Sequence, residues 1–422
     1  MKKVNEFKDT EIGRIPKDWE VVRLKEVSEE LFYGITAKAV DKNTGIKMLR
    51  TTDIKEYSVD YETLPFCEIT ERRENLTKYL LKKGELIVAR AGTVGVSALI
   101  DRNFDNVIFG SYLIKIRLKS TVDSKFVHYF FQSPFYWKHL QKAQGSTLKN
   151  INLPFLKSLL IPLPPLPEQR KIAEILSTVD EAIQKVDEAI ARTERLKRGL
   201  MQELLTKGIG HREFKDTEIG RIPKDWAIKK IGEICKVVTG GTPDTRHPEY
   251  FGGDIKWLKS GDIKGLYIYD TEETITKLGV ENSNAKIYPA GGVAIALSGR
   301  GLTRGRTAII KAAMACSQSV AIMIPDSEVI SEFLHYNLSN RYLEIRNLTG
   351  HFDRSGLNLS IVSKIKVPIP SLREQQKIAE ILSTVDKKLE FERKRREKLD
   401  RIKRGLMNDL LTGKRRVKAE AD

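Results

Sequence analysis

Few side chains in this sequence stand at spacings that support catalysis, and the most suggestive are acidic. Pro243-Asp244 is followed by Asp254-Ile255-Lys256. That order fits the proline-aspartate…aspartate-x-lysine signature of metal-dependent nucleases, in which carboxylates hold a divalent ion. The pattern is short and matches by chance often. Its upstream echo, Asp53-Ile54-Lys55, has no proline-aspartate mate. The six histidines (His128, His139, His211, His247, His335, His351) show no metal-ligand spacing and read as surface or hydrogen-bonded residues. Three distant cysteines, Cys67, Cys235 and Cys316, make neither a four-cysteine zinc site nor a disulfide framework. The sequence has no Gly-x-x-x-x-Gly-Lys-Ser/Thr loop and no Gly-x-Gly-x-x-Gly after a strand. It also lacks the Asn/Asp-Pro-Pro-aromatic tetrapeptide of amino-methyltransferases.

Arginines set among glycines are better candidates. Ser298-Gly299-Arg300-Gly301-Leu302-Thr303-Arg304-Gly305-Arg306 leaves an apolar run. Guanidinium groups on such a loop approach phosphate closely and read guanine edges bidentately. Its upstream counterpart is Arg90-Ala91-Gly92-Thr93-Val94-Gly95. Further polar loops add to this, and the candidate DNA-binding set is Arg50, Thr52, Arg90, Thr93, Lys149, Asn150, Thr242, Lys259, Ser260, Arg300, Thr303, Arg304, Arg306 and Arg354. The plainer reading of each loop is a hairpin or connection with solvated side chains.

Charge agrees with a polyanionic partner. The 422 residues hold 73 Lys and Arg against 56 Asp and Glu, a net +17, which favours nucleic acid first and a membrane surface second. Basic charge concentrates late. Residues 168–208 carry eight basic and eight acidic side chains, whereas 391–418 carry twelve and four. The late excess reads either as a solvated face or as phosphate contact with strong salt dependence. No run of about 18 apolar residues suits a membrane span. No secretory leader follows Met1-Lys2-Lys3, and the expected location is the cytoplasm.

The elements that must position these loops come as a repeat. Phe7-Lys8-Asp9-Thr10-Glu11-Ile12-Gly13-Arg14-Ile15-Pro16-Lys17-Asp18-Trp19 recurs unchanged at 214–226. Lys171-Ile172-Ala173-Glu174-Ile175-Leu176-Ser177-Thr178-Val179-Asp180 recurs at 377–386, and Lys197-Arg198-Gly199-Leu200-Met201 at 403–407. Between these blocks the copies diverge. Only traces align, such as Leu49-Arg50-Thr51-Thr52-Asp53-Ile54-Lys55 with Leu258-Lys259-Ser260-Gly261-Asp262-Ile263-Lys264. Blocks kept alike face the same kind of partner or each other. Blocks that diverge recognise different things.

The shared blocks are long helices. Apolar residues at Ile172, Leu176, Val179, Ile183, Val186 and Ile190 step by four and three, then Leu196, Leu200 and Leu204 continue the stripe. The second copy runs Ile378, Leu382, Val385, Leu389, then Leu399, Ile402, Leu406, Leu410. Gly208 and Gly413 mark the stops, and each helix spans roughly 60 Å. A narrow stripe needs a partner helix, and the other copy is the nearest. The alternative is that each helix packs on its own globular domain. The repeated opening block reads as a structural anchor, with Leu411 near Phe7.

The divergent blocks read as mixed α/β. Residues 85–89, 112–117 and 293–297 are strands, and 122–142 and 328–346 have helical period. The expected fold class is α+β. Two similar mixed α/β domains (1–160 and 211–366) are separated by spacer helices (161–210 and 367–413) in an antiparallel coiled coil, a pseudo-twofold tandem repeat with a basic tail at 414–422.

The pattern closely resembles the specificity subunit of type I restriction-modification systems. The resemblance rests on Gly13-Arg14-Ile15-Pro16-Lys17-Asp18-Trp19 and its copy, and on Pro162-Leu163-Pro164-Pro165-Leu166-Pro167-Glu168-Gln169 with Pro368-Ile369-Pro370-Ser371-Leu372-Arg373-Glu374-Gln375. Ile172-Ala173-Glu174-Ile175-Leu176 and Leu200-Met201-Gln202-Glu203-Leu204-Leu205 complete it. It covers essentially the whole chain, with one departure at Ser371-Leu372-Arg373. The resemblance implies a non-catalytic subunit whose two target-recognition domains each read half of a split target in double-stranded DNA, with the helix pair setting the gap. It implies two methyltransferase subunits carrying S-adenosylmethionine, and restriction subunits adding ATP- and magnesium-dependent translocation and cleavage. The rival readings are a magnesium-dependent nuclease using Asp244, Asp254 and Lys256, and a coiled-coil scaffold that binds only protein.

Overall fold

The computed structural model describes residues 6–69, 73–144, 150–299, 301–348 and 356–417. The chain divides into two compact units, Met1–Asp187 with Lys394–Asp422, and Glu188–Arg393. Two long helices, α1 (Leu166–Thr206) and α2 (Leu372–Leu410), each contribute one part to either unit.

The first unit opens with a hairpin of Phe7–Thr10 and Gly13–Pro16. Gly13 turns it at φ +104°, a conformation that costs a side-chain-bearing residue. Ile12, Ile15 and Trp19 are buried in one core with Met407, Leu410 and Leu411 of the chain's end. The strand Glu20–Arg23 pairs antiparallel with Leu160–Leu163, whose Pro162 keeps it extended ahead of α1. An antiparallel sheet runs in the order Ser97–Leu99, Leu86–Ala89, Leu113–Leu118, Ser28–Tyr33. Of its two middle strands, Leu86–Ala89 is an apolar run buried throughout, and Leu113–Leu118 is buried over Leu113–Ile116 although it carries Lys115. A second sheet runs Val107–Phe109, Lys47–Leu49, Phe66–Glu68, Lys38–Val40, and its first pair is parallel.

The second unit repeats the plan. Its hairpin is Phe214–Thr217 with Gly220–Pro223, and Gly220 has φ +107°. The strand Ala227–Lys230 pairs with Lys366–Ile369. The main sheet runs Cys235–Thr239, Val320–Pro325, Val293–Ala296, Thr307–Ile310, Tyr267–Ile268, and the second sheet Thr274–Ile275, Phe251–Leu258, Met314–Cys316, Ile287–Tyr288. Matching registers place Leu86 with Val293 and Ile116 with Met323.

The single helices expected at 122–142 and 328–346 are each broken. Ser124–Phe130 is followed by Pro134–Gln144, since Pro134 lacks an N–H and pushes Ser133 out of helical geometry. Ser331–Asn340 is followed by Tyr342–Arg346, with the turn at Arg341.

The helices pair antiparallel within each unit. In the first, Lys403 meets Asp180 at 2.7 Å and Arg396 meets Asp187 at 2.8 Å. In the second, Arg393 meets Glu194 at 2.7 Å and Lys197 meets Asp386 at 2.5 Å. Ile172, Leu176, Ile183, Val186, Ile378, Leu382 and Leu389 are buried, and Val179, Ile190 and Val385 half-buried. Ile172 and Leu176 belong to the core of the first unit, and Ile378 and Leu382 to that of the second, so each helix start also packs on its own globular part. Leu196 and Ile402, read as part of the stripe, are 54% and 42% exposed. Near Leu196, buried Thr193 takes the inward position, and Lys197 turns to Asp386.

Candidate nucleic-acid interface

In the first unit three backbone hydrogen bonds gather distant loops at one sheet edge. Gly110 N–H donates to Leu49 O at 2.9 Å, Arg90 N–H to Tyr112 O at 2.9 Å, and Ile151 N–H to Arg90 O at 2.8 Å. Thr93 adds a bond from Oγ1 to Thr51 O at 3.4 Å. Arg50, Thr52, Arg90, Thr93 and Asn150 therefore share one face, although they span a hundred positions of sequence. Lys149 lies outside the described residues.

Those side chains are not equally available. Arg90 lies with its guanidinium 4.6 Å from the Tyr33 ring centre and donates from Nε to Asn150 Oδ1 at 3.3 Å. Stacking holds the guanidinium while leaving further donors for a ligand. Arg50 instead forks onto Asp53, Nε to Oδ2 at 3.0 Å and NH2 to Oδ1 at 2.8 Å, while its own N–H is capped by the same carboxylate. It stabilises the turn at Thr51–Asp53. Thr52, Thr93 and Asn150 are exposed. Tyr112, absent from the sequence-derived set, is 64% exposed at the centre of this face. An apolar ring left in solvent at a loop junction was the signal, and alternation had assigned it to a strand.

The second unit builds the same frame. Ser317 N–H donates to Leu258 O at 2.9 Å, Leu297 N–H to Ser319 O at 2.9 Å, and Leu357 N–H to Leu297 O at 2.8 Å. Ser260 N–H donates to Ser319 Oγ at 3.2 Å. Lys259 caps onto Asp262 as Arg50 does onto Asp53, but its ammonium reaches Glu273 at 2.5 Å and sits 4.5 Å from the Trp257 ring centre. Thr242 Oγ1 donates to Gln318 Oε1 at 2.5 Å. Thr242, Lys259, Ser260 and Gln318 line a cavity of about 400 Å³ with Trp257 and Glu273.

The frame sets the register between the two glycine-rich loops. Leu297, not an arginine, stands where the first unit has Arg90, and the loop at 297–306 is longer than that at 90–96. The helix Tyr342–Arg346 anchors the longer loop. Arg346 NH2 donates to Gly301 O at 2.5 Å and Tyr342 OH to Leu302 O at 2.7 Å. Gly299 and Gly301 take positive φ there. Arg306 is exposed, and Thr303 and Arg304 half-buried. Arg300 and Arg354 lie outside the described residues.

Other sequence candidates resolve into structure. Asp244 takes Arg246 on both carboxylate oxygens, which holds its carboxyl well below the usual range. Lys256 donates to Tyr269 O at 2.5 Å. Among the described residues no group of three or more His, Cys, Asp or Glu is placed to hold a metal ion. His335 is buried and hydrogen-bonded to Thr307. His128 departs from expectation, being half-buried with its Nδ1 enclosed and unpartnered among the described residues. Burial pushes both imidazoles down to about 3. The late basic run is engaged in part. Arg393 and Arg396 pair with α1, and Arg416 forks onto both Glu168 and Asp18. Arg416 thus closes the chain's end onto its opening block.

The junction that holds the loop faces to the helices was not legible as such. Glu168 Oε2 accepts Trp19 Nε1–H at 3.1 Å, and Glu374 Oε2 accepts Trp226 Nε1–H at 3.1 Å. Gln169 Oε1 accepts Asp123 N–H at 2.8 Å, and Gln375 Oε1 accepts Ile330 N–H at 2.9 Å. Tyr129 OH donates to Asp180 and Tyr336 OH to Asp386, both at 2.8 Å. Each repeated Glu-Gln pair, named in the sequence only as part of the repeated entry to each helix, bolts a domain to its helix.

Two loop faces on one frame, joined to paired helices and bearing different side chains, define a class of tandem recognition protein. The model of the family described as the type I restriction modification DNA specificity domain matches residues 16–192 and again 223–401. The chain belongs to this family. It is 31% identical to the putative type I restriction enzyme MjaX specificity subunit of Methanocaldococcus jannaschii, over 99% of this chain and 98% of that one. It is 28% identical to the MjaVIII specificity subunit of the same organism, over 99% and 97%. The crystal structure of the type I restriction-modification S subunit from M. genitalium shares the fold, with TM-score 0.62 at 17% identity over 97% of this chain and 98% of that one.

Proposed function

We propose that this chain is the DNA-reading specificity subunit of a type I restriction-modification complex. Each unit's loop face reads one half of a bipartite target in double-stranded DNA. The helix pair sets the gap between the halves and docks two methyltransferase subunits. Catalysis then belongs to partners. Methyltransferase subunits carry S-adenosylmethionine, and restriction subunits bring ATP- and magnesium-dependent translocation and cleavage. The place of action is the cytoplasm, with the DNA. Among the described residues no helix is long and apolar enough to cross a membrane.

One observation carries the reading. The same three backbone hydrogen bonds recur in both units while the exposed side chains on them differ. A shared frame with exchanged side chains is what two readers of different sequences require, since base edges are told apart by donor and acceptor placement. The test is selection from a random DNA library by the full chain with its modification subunits at moderate salt. Two short, different motifs at a fixed gap are expected. A single motif, or none, would contradict the two-reader function, and no enrichment at all would favour a protein-only scaffold.

A further inference from the structure

We propose that Gln318 is the side chain in the second unit that reads an adenine in the major groove. This rests on the DNA-reading function above. Gln318 is exposed on the bend between the strands Met314–Cys316 and Val320–Pro325, at the centre of the loop frame. The bend is held by Ser317 N–H to Leu258 O, by Leu297 N–H to Ser319 O and by Ser260 N–H to Ser319 Oγ. Its position is therefore set by two separate loops, one at 258–260 and one at Leu297.

The amide is oriented as well as placed. Thr242 Oγ1–H occupies one acceptor site of Gln318 Oε1. A carboxamide oxygen has two acceptor sites and the nitrogen two donors. One acceptor and the Nε2 donors remain, side by side, which is the pair that meets adenine N6–H and N7. Fixing the rotamer in advance removes ordering cost at binding.

Charge argues for a base edge over a phosphate. The cavity beside Gln318 is lined by Glu272 and Glu273, and its one lysine, Lys259, is paired with Glu273. Trp257 also lines it, and its Nε1 donates to Gly241 O at 3.1 Å. Such a surface does not attract the DNA backbone. In the first unit the same bend carries Ser111 and the exposed Tyr112. One backbone position thus presents an amide in one unit and a phenol next to it in the other.

The experiment is the same library selection, run on the wild-type chain, Gln318→Ala and Gln318→Glu with unchanged melting temperature. The wild type is expected to give two motifs. Gln318→Ala loses preference for A·T at one position of one motif by about 5- to 100-fold. The remaining positions and the other motif keep their preferences. Gln318→Glu, which replaces the donor by an acceptor, moves that position toward cytosine, whose N4 amine donates. Two wild-type motifs with unaltered preferences in both variants would overturn the assignment and leave the reading function standing. Equal weakening at every position would also overturn it, by making Gln318 a backbone contact. A wild type that yields no paired motifs overturns the reading function itself and the assignment with it.

Discussion

Lys115 and Glu85 form an ion pair that is wholly buried, at 3.0 Å, with the ammonium also donating to Lys78 O and lying 5.0 Å from the Phe32 ring centre. Burial lowers the lysine's pKa, and Glu85 opposes that shift. Strand register puts Gly292 and Ile322 at the same positions of the second unit, where the core is apolar. Removing one partner of a buried pair leaves a charge without compensation. Lys115→Met is expected to cost about 3 kcal/mol in urea unfolding, and Glu85→Gly with Lys115→Ile to recover much of it. His335 and His128 give a pH signature. Their folded pKa of about 3 lies below the ordinary value of 6.5, so the unfolded chain binds protons that the folded one does not. Their contribution is full above pH 6.5 and is lost as pH falls toward 3, at about 1.4 kcal/mol per pH unit for each. His128→Leu should flatten the decline of melting temperature between pH 6 and 4, and an unchanged slope would contradict this. Neither the ion pair nor the enclosure of His128 was legible locally, because both depend on what other strands place opposite.

At the scale of elements, ring-to-carboxylate bolts and helix ion pairs join each domain to its helices. Tyr129, Asp180 and Lys403 tie a short helix to both long ones, and Tyr336, Asp386 and Lys197 repeat the arrangement. Asp386→Ala should accelerate amide exchange in the second unit's part of both helices, with the first unit's part unchanged. Exchange rising equally in both units would count against independent bolts. Arg416 is a second such device. Glu168 and Asp18 hold it, while Lys414 and Arg415 beside it stay exposed. Arg416→Ala is expected to lower stability by about 2 kcal/mol without altering the DNA motifs selected. Helix extent and pairing were readable from the four-three spacing. The bolts were not, since Trp19 and Glu168 stand 149 positions apart.

At the scale of the whole molecule, two reading faces in one chain predict separable damage. Charge reversal at Arg304 and Arg306 should degrade recognition of one half-site only, read as motif loss in library selection. Equal loss at both halves would contradict two independent readers. Net charge of +17 further predicts a steep fall of DNA affinity with salt, linear on logarithmic axes. Salt-insensitive association would point to a protein partner instead.

The repeat, the long paired helices, the buried strands and the absence of phosphate-loop and methyltransferase motifs were all determined by the sequence alone, because each is a matter of local spacing or composition. The tertiary structure decided which polar residues act together. It brought Arg50, Thr93, Arg90 and Asn150 to one edge and locked Arg50 onto Asp53. It also put Leu297 at the frame position that Arg90 holds in the first unit and brought Gln318 forward beside Thr242. Those outcomes follow from hydrogen bonds between strands far apart in the chain, which no local pattern of residue types encodes.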